Sequence, residues 1–580
     1  MKNRYALSRP LVLDRTWPIF IDLSVTLAAL AGFFALVKIA SYWMGKPIPA
    51  VEISQSVSAL PLYAFYSLVR IGAAYLLSLI FAVGYGYIAA YNPRAEGLMI
   101  AILDILQSIP VLSFLPGVML AMVALIPTRQ LGIEMGAILL IFTGQVWNMA
   151  FSFYSSLKSI PRELREAANI YRFSAWQRFW QLELPYSAIG LVWNSMVSVA
   201  GGWFFLIACE MFVLGDRDFR LPGLGSYLQT AANSGNSRAI VWGLATMVLI
   251  IVAMDQLIWR PVIAWSDRFK FEMSESSDRV SSPILHLLQR SSFLTLLREK
   301  TIDPWGESIY RHLAQHSAQR RIEPLEDQGK RKIPPLAIVL AIVAALVVLY
   351  AATQALAMLR HIQISEVKLL LMGAGSTFLR VNASLLIASL WTIPVGVMIG
   401  FNPRLARFTQ PITQIAAAFP APFLFPIIIV GLQHLGLGLG VGSIVLMLLG
   451  TQWYILFNVI AGAMAIPSDL REVADLFHFS NLQRWTTVIL PGIFPYLLTG
   501  LVTASGGAWN ASIIAEYYNL RGHTLQTLGL GAQISAASDK GQFPILLLAT
   551  MIMATMVVTI NRLVWRRLYR LAETRYKLEG

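Results

Sequence analysis

Long apolar runs alternate with short charged stretches along the whole 580-residue chain. A run of about 20 apolar residues is long enough to cross a hydrocarbon core of roughly 30 Å as a helix. About twelve such runs can be read, six in each half. In the first half they lie near Trp17–Trp43, Leu60–Tyr91, Ile100–Ile126, Ile133–Phe153, Tyr186–Leu214 and Ile240–Trp265. In the second they lie near Ile333–Leu359, Phe378–Phe401, Ile412–Leu432, Gly438–Ala463, Gly492–Ala515 and Phe543–Trp565. Several contain Pro or Gly, which membrane helices tolerate because neighbouring helices satisfy the freed backbone groups. The pattern predicts an all-α polytopic membrane protein of two tandem six-span domains, residues 1–265 and 333–580, joined by a polar linker at 266–332.

The halves repeat one another in detail. Pro161 to Pro185 aligns without a gap on Pro467 to Pro491, 306 positions later (161 to 467), and the register continues through Trp203/Trp509, Glu210/Glu516 and Leu224-Gly225/Leu530-Gly531. Asn92-Pro93-Arg94 matches Asn402-Pro403-Arg404 at an offset of 310 (92 to 402), which takes in Arg70/Arg380, Pro110/Pro420 and Pro116/Pro426. So long a period marks two copies of one domain, not a solenoid. An even number of spans followed by a cytoplasmic linker lets the second copy insert in the orientation of the first, so the repeats are parallel about an axis normal to the membrane.

Composition supports this reading and settles what the charge means. The chain is 56% hydrophobic, 13% charged, with mean hydropathy +0.62 and net charge +14. With the N-terminus inside, roughly 33 of the 45 Lys and Arg fall on the cytoplasmic side and roughly 9 outside, the positive-inside pattern. The basic balance therefore reports topology and an anionic leaflet, with no nucleic-acid partner. Lys2, Arg4, Arg9 and Arg15 precede a first span too long for a signal peptide, so the N-terminus is read as uncleaved, with both termini cytoplasmic. Ile284–Leu297 in the linker has some helical amphipathicity. A single cysteine, Cys209, excludes an intrachain disulfide and a Cys-rich metal site. His312 and His316 are four apart, but no Glu follows His312 as a zinc-protease motif requires, so they read as solvated linker residues.

The strongest chemical signal is the duplicated charged segment after the fourth span of each half. It carries Arg162, Glu163, Arg165 and Glu166 beside Leu164, Ala167 and Ala168 in one copy, and Asp469, Arg471, Glu472, Val473 and Ala474 in the other. Such a helix is costly in hydrocarbon and belongs at the cytoplasmic surface, at about 161–180 and 467–486. Pro185 and Pro491 then suit the first turn of the next span.

Glu166-Ala167-Ala168, followed at the right distance by Leu182-Glu183-Leu184-Pro185, resembles the Glu-Ala-Ala loop of ATP-binding-cassette importer permeases. That resemblance implies a coupling helix seated in a groove of a cytoplasmic ATPase and covers nearly the whole chain, one permease per half. Two departures stand out: the glycine of the family pattern is Arg172 in one copy and His478 in the other, and the second copy has Val473 for the first alanine. The bend after the short helix is thereby put in doubt, since glycine supplies its free φ. Within the family, Leu68-Val69-Arg70, Phe378-Leu379-Arg380, the prolines of the third spans, Cys209-Glu210, Ala515-Glu516 and the Gly-Leu-Gly that follows each resemble the nitrate/sulfonate/taurine/bicarbonate branch.

Gly45-Lys46 and Gly329-Lys330 lack the Ser/Thr and upstream glycine of a phosphate-binding loop, so the chain is not expected to be an enzyme. The resemblance implies ATP and magnesium on a partner ATPase, most simply two copies, and a solute-binding protein outside a bacterial inner membrane. Polar residues within spans are candidate pathway residues. Arg70 and Arg380, near the outer mouth, either draw anions or snorkel to the interface as anchors. Asp104 and Gln414 either line the pathway or make interhelical hydrogen bonds. Glu210 and Glu516, roughly 37 Å along the helix from Pro185 and Pro491, form a gate, a docking contact or an interfacial anchor. Trp203 and Trp509 line the pathway or simply pack. The expected function is the permease of an ATP-driven importer of a small anion. The alternatives are a fused importer for iron(III) or thiamine, an ion-gradient secondary transporter, and a channel or scaffold.

Overall fold

The structure, a computed structural model, describes residues 52–126, 128–214, 217–269, 346, 349–350, 353–360, 362–466, 468–520 and 523–575. The first expected span, nearly all of the linker (including His312 and His316) and most of the seventh span lie outside these residues. Among the described residues, eight helices are long and apolar enough to cross a membrane, four in each half.

In the first half, α1 (Leu60–Tyr91) is followed by α2 (Pro93–Ser108), α3 (Leu115–Leu125) and α4 (Arg129–Lys158). Next come the short helices α5 (Arg162–Ile170) and α6 (Ala175–Arg178), then α7 (Leu184–Glu210). A two-strand antiparallel pair, β1 (Val213–Leu214) and β2 (Arg217–Asp218), leads to α8 (Leu224–Asn233), α9 (Ser237–Met254) and α10 (Arg260–Ser266). The second half repeats the order with α11 (Ile364–Phe401), α12 (Pro403–Ala418), α13 (Phe425–His434), α14 (Leu439–Ala465), α15 (Ser468–Leu476), α16 (Asn481–Gln483) and α17 (Leu490–Ala515). Then follow β3 (Tyr517–Leu520) paired antiparallel with β4 (His523–Gln526), α18 (Leu530–Asp539), α19 (Phe543–Ile560) and α20 (Arg566–Arg575).

The duplicated Asn-Pro-Arg is a helix start. Pro93 and Pro403 open α2 and α12, where a missing N–H costs nothing. Asn92 Oδ1 accepts from Ala95 N at 3.3 Å, and Asn402 Oδ1 accepts from Arg404 N at 3.1 Å and Leu405 N at 3.2 Å. The expected third span of each half is not one helix. It breaks after Ser108 and Ala418, passes through tight turns at Val111–Phe114 and Ala421–Leu424, and restarts as α3 and α13. Pro110 and Pro420 stop the first segment, and Pro116 and Pro426 fit the first turn of the second.

Pro185 and Pro491 behave differently from the expected helix restart. Wide turns at Phe179–Glu183 and Arg484–Ile489 carry the chain without interruption from α6 into α7 and from α16 into α17. A proline removes one amide donor, and a local i→i+5 turn absorbs the mismatch without ending the helix. A comparable wide turn at Asp255–Trp259 precedes Pro261.

Each half rests on the same triple, α1 against α4 against α7, and α11 against α14 against α17. The halves share one core: Val111, Met119 and Cys209 belong to the same apolar cluster as Phe425, Trp509 and Ile513. Matching glycines allow close approach within each triple. A Cβ on Gly86 would lie 2.9 Å from the Phe153 ring and 3.1 Å from Tyr154 N, and one on Gly396 would lie 2.7 Å from Val459 Cγ1. Gly86→Leu and Gly396→Leu should each lower the thermal midpoint of the detergent-solubilised protein, by roughly 1–3 kcal/mol of overpacking. Gly97→Leu, where added atoms meet open space, should leave it unchanged.

Candidate functional site

At the end of α7 the chain puts a carboxylate where a helix least favours one, beside its own terminal carbonyls. Glu210 is nonetheless fully buried, and its partners explain why. Arg70 Nη1 of α1 donates to Glu210 Oε1 at 2.8 Å, and Ser67 Oγ donates to the same oxygen at 2.6 Å. Gly225 N, in the first turn of α8, donates to Oε2 at 2.8 Å, so the favourable end of α8 offsets the unfavourable end of α7. Arg70 also donates to Pro222 O at 2.8 Å and, through Nε and Nη2, to both Glu134 oxygens at 2.6 Å.

The second half rebuilds this from matching positions. Arg380 Nη1 donates to Glu516 Oε1 at 2.9 Å and to Leu528 O at 2.7 Å, Thr377 Oγ1 bonds the Glu516 carboxylate at 2.9 Å, and Gly531 N donates to Oε2 at 2.9 Å. The repeated Gly-Leu-Gly follows from the same geometry. A Cβ on Gly223 would fall on the Glu210 carboxylate, and one on Gly529 on that of Glu516. The halves differ in one respect: Arg70 has two carboxylate partners, whereas Arg380 has Glu516 and the Thr527 hydroxyl at 2.9 Å.

These contacts revise three expectations. Glu210 and Glu516 have no exposed surface and are not available as docking contacts for an external protein. Arg70, 3% exposed, does not snorkel to an interface. Nor is either arginine a free cation facing a common pathway, because each is neutralised within its own half. Trp203 and Trp509 are buried in the apolar clusters and pack there. Asp104 and Gln414 occupy corresponding positions on α2 and α12, and their side chains lie outside the described ones.

On the duplicated charged segment the structure separates two faces. Ala168 and Ala474 are buried, while Glu166, Glu472 and Val473 are exposed, as is Arg162, and Ala167 is partly covered. Arg165 and Arg471 turn inward. Arg165 Nη2 donates to Leu157 O at 2.7 Å, and the Arg471 guanidinium lies 5.2 Å from the centre of the Phe401 ring. Beyond them, the matched pairs Ile170/Leu476 and Tyr171/Phe477 are largely exposed. No ion-pair partner for Glu166 or Glu472 is found among the described residues.

The doubted bend is present without glycine. Arg172 and His478 adopt left-handed backbone, φ 54° and 48°. Phe173 N donates to Ala168 O at 2.9 Å and Arg172 N to Asn169 O at 3.0 Å; Phe479 N and His478 N repeat this onto Ala474 O and Asp475 O. This is the Schellman closure, with a non-glycine residue in the strained position at a cost of about 1–2 kcal/mol. Ser174 with Gln177, and Ser480 with Gln483, then form reciprocal caps that start the next helix.

One group missed in the sequence is Glu183. It is fully buried, accepting from Tyr91 OH at 2.5 Å and Arg178 Nε at 2.7 Å, and it ties the α5–α6 elbow to the end of α1. The second copy has Phe401 and Ile489 at these places, and Arg484 pairs with the exposed Asp475 at 2.6 Å. Comparison of the two copies for unmatched charges would have found it.

Two cavities lie along α7. One, of about 140 Å³, sits between the halves beyond the C-terminal ends of α7 and α17, lined by Leu112, Pro116, Phe212, Ile513, Tyr518 and Ser535 among others. Tyr517 and Asp539 also border it, hydrogen-bonded at 2.5 Å; burial and that carboxylate raise the tyrosine pKa above its ordinary range and keep it protonated. The other, of about 270 Å³, belongs to the first half and reaches from Gln107 to Ser159. Between the two, the Tyr454 hydroxyl approaches Gly201 of α7.

Fold and site thus define a duplicated polytopic membrane protein with a paired, partly apolar surface elbow on each half. The family described as binding-protein-dependent transport system inner membrane component matches the chain twice, over residues 82–257 and 392–578. The chain belongs to that family. It is 28% identical over 185 residues to a nitrate import permease protein of Leptolyngbya laminosa, covering 32% of this chain and 63% of that protein. It is 31% identical over 137 residues to a bicarbonate transport system permease protein of Synechococcus elongatus, covering 24% and 48%. It is 26% identical over 165 residues to a taurine transport system permease protein of Escherichia coli, covering 28% and 56%. The chain thus spans about half to five-eighths of the length of the relatives it matches.

Removing one partner from a buried ion pair leaves an uncompensated charge and costs about 3–5 kcal/mol. Arg70→Gln should therefore lower the unfolding midpoint sharply, with Arg380→Gln milder because it loses one carboxylate partner and not two. Arg70→Lys should not rescue, since an ammonium cannot reach both carboxylates and Pro222 O together. Conversely, Arg172→Gly should raise the midpoint slightly by relieving the left-handed strain.

Proposed function

We propose that this chain is a membrane-spanning permease of an ATP-driven, binding-protein-dependent importer. Residues 1–265 and 333–580 act as two six-span permease domains, twelve spans in all, with the 266–332 linker and both termini in the cytoplasm of a bacterium. The observation that carries the reading is the pair of matched elbows. Each presents an unpaired glutamate, Glu166 or Glu472, beside exposed apolar side chains, Ile170-Tyr171 or Leu476-Phe477, immediately after a spanning helix. Exposed apolar residues beside an unpaired carboxylate suit a protein partner and not solvent. That partner is a cytoplasmic ATPase, one copy under each elbow, carrying the ATP and magnesium that this chain is not expected to bind. An external binding protein delivers the solute.

Closure of the ATPases moves α5 and α15 as levers. Arg165 bonds α5 to the end of α4, Arg471 packs α15 on Phe401 at the end of α11, and the unbroken helices from α6 into α7 and α16 into α17 carry the movement across the membrane. The solute is proposed to be a small anion of the nitrate, bicarbonate or taurine kind; the relatives support this over iron(III) or thiamine, and the duplicated elbows favour an ATPase-coupled machine over an ion-gradient transporter. With Arg70 and Arg380 neutralised, anion preference must come from elsewhere on the pathway.

Glu166→Lys with Glu472→Lys should abolish co-purification of the ATPase, or uncouple its hydrolysis from uptake, while the chain still inserts. The single variants should differ in severity, because the first elbow is tied down through Glu183 and the second is not. Normal uptake by the double variant with its ATPase bound would remove the importer reading.

A further inference from the structure

The residues that line the chamber of about 270 Å³ in the first half are replaced in the second, position by position. It lies between α2, α4 and α7, and every lining residue but Phe151 carries a hydroxyl or a carboxamide: Gln107, Asn148 and Asn194, with Ser152, Ser155, Ser156 and Ser159. None is charged. At the matching positions the second half has Ala417, Tyr454 and Gly500, then Asn458, Ala461, Gly462 and Ala465. The space itself turns on one exchange of small for large. Gly190 faces Ser152 and Ser156, each hydroxyl 3.1 Å from where its Cβ would stand. The matching residue is Tyr496, whose side chain sits against Gly462, the match of Ser156, with its Cβ 2.9 Å from where a Cβ on Gly462 would stand. A tyrosine side chain in the second half thus stands where the first half has only Gly190.

We propose that this chamber is a transit site for a small solute bearing several oxygen acceptors, a single asymmetric station on an otherwise two-fold pathway. The proposal rests on the importer reading and deepens it. Polar groups at membrane depth are tolerated where they meet water or a solute, not lipid. Gln107 Nε2 donates to Asn148 Oδ1 at 3.2 Å and Asn194 Nδ2 to Ser152 Oγ at 3.0 Å, so the amides are held in place. Among the described residues the Asn148 amide nitrogen and the Ser155 and Ser156 hydroxyls, all lining the chamber, have no hydrogen-bond partner and are free to meet an occupant. Neutral donors bind an oxyanion through dipoles without the deep trap of a fixed cation, and a transport site must bind weakly enough to release. No carboxylate lines the chamber to repel an anion. Its far end, at Ser159, lies three residues before the coupling helix α5, so movement of that helix can open or close it.

The test uses the full chain with Cys209→Ser, purified into lipid nanodiscs so that both faces are accessible. Reporter thiols are placed at two matched, exposed positions, Ser155→Cys in the chamber and Ala461→Cys in the filled half. Labelling by a neutral maleimide is timed with nitrate, bicarbonate or taurine, against chloride at equal ionic strength. At least one of the three should slow labelling at 155 by about twofold or more once its concentration reaches the dissociation constant, and none should slow labelling at 461. Adding Ser156→Gly with Gly190→Tyr, which copies packing that the second half already tolerates, should abolish the slowing. The proposal is overturned by no slowing at 155 with any probe, by equal slowing at 461, or by slowing that survives the double variant. None of these outcomes depends on an ATPase, so failure here is distinct from failure of the ATPase to co-purify.

Discussion

A carboxylate at the C-terminal end of a spanning helix is stable only if something brings compensating charge to it, and much of each half is arranged to do so. Glu210 and Glu516 are met by an arginine and a hydroxyl from the first described span and by the N-terminal amide of the following short helix. Three elements distant in sequence are thereby pinned at one point, and the glycines beside it exist because the carboxylates occupy the space of a side chain. The pair is structural cement between α1, α7 and α8, and between α11, α17 and α18. Replacement of a well-made buried pair by apolar residues is often neutral, so its value lies in fixing register more than in stability.

The opposite ends of these helices are held differently. There the short helices α5 and α15 hang on single arginines and on strained turns at Arg172 and His478. Few attachments hold the short helix at one end of each bundle, and a buried ionic lock holds the other end. The wide turns before Pro185 and Pro491 keep the short helices α6 and α16 continuous with the spanning helices α7 and α17.

Duplication frees one copy to diverge. The first half has a buried Tyr91–Glu183–Arg178 network and a polar chamber; the second has Phe401 and Ile489 in place of Tyr91 and Glu183, and Tyr496 in place of Gly190. Both differences lie on the side of the elbows, whereas the ionic locks at the opposite ends remain alike. Symmetry is thus kept at the ionic locks and relaxed toward the elbows.

How much of this was legible in the sequence depended on the range of the interaction. Hydrophobic run length and repeat register, both local, were enough for the helical membrane architecture, the two copies, the surface segments at Arg162–Ile170 and Ser468–Leu476, and the equivalence of Arg70 with Arg380 and Glu210 with Glu516. They did not reveal that each arginine bonds the glutamate of its own half, because the partners are 140 and 136 positions apart and only folding brings them together. Proline suggested restarts at Pro185 and Pro491, and apolar run length suggested continuous third spans; the fold has the reverse in both cases, since a helix held on both sides can absorb a missing donor in a wide turn, whereas Pro110 and Pro420 end their helices. The bend at Arg172 and His478 looked doubtful for want of glycine, yet the surrounding helices impose a left-handed backbone that neither residue would choose alone. Sequence by itself determined what lies in the membrane and what is repeated, because those follow from the solvent and the register; which charges meet and which space stays open were decided by packing, because both depend on atoms that the chain order does not place side by side.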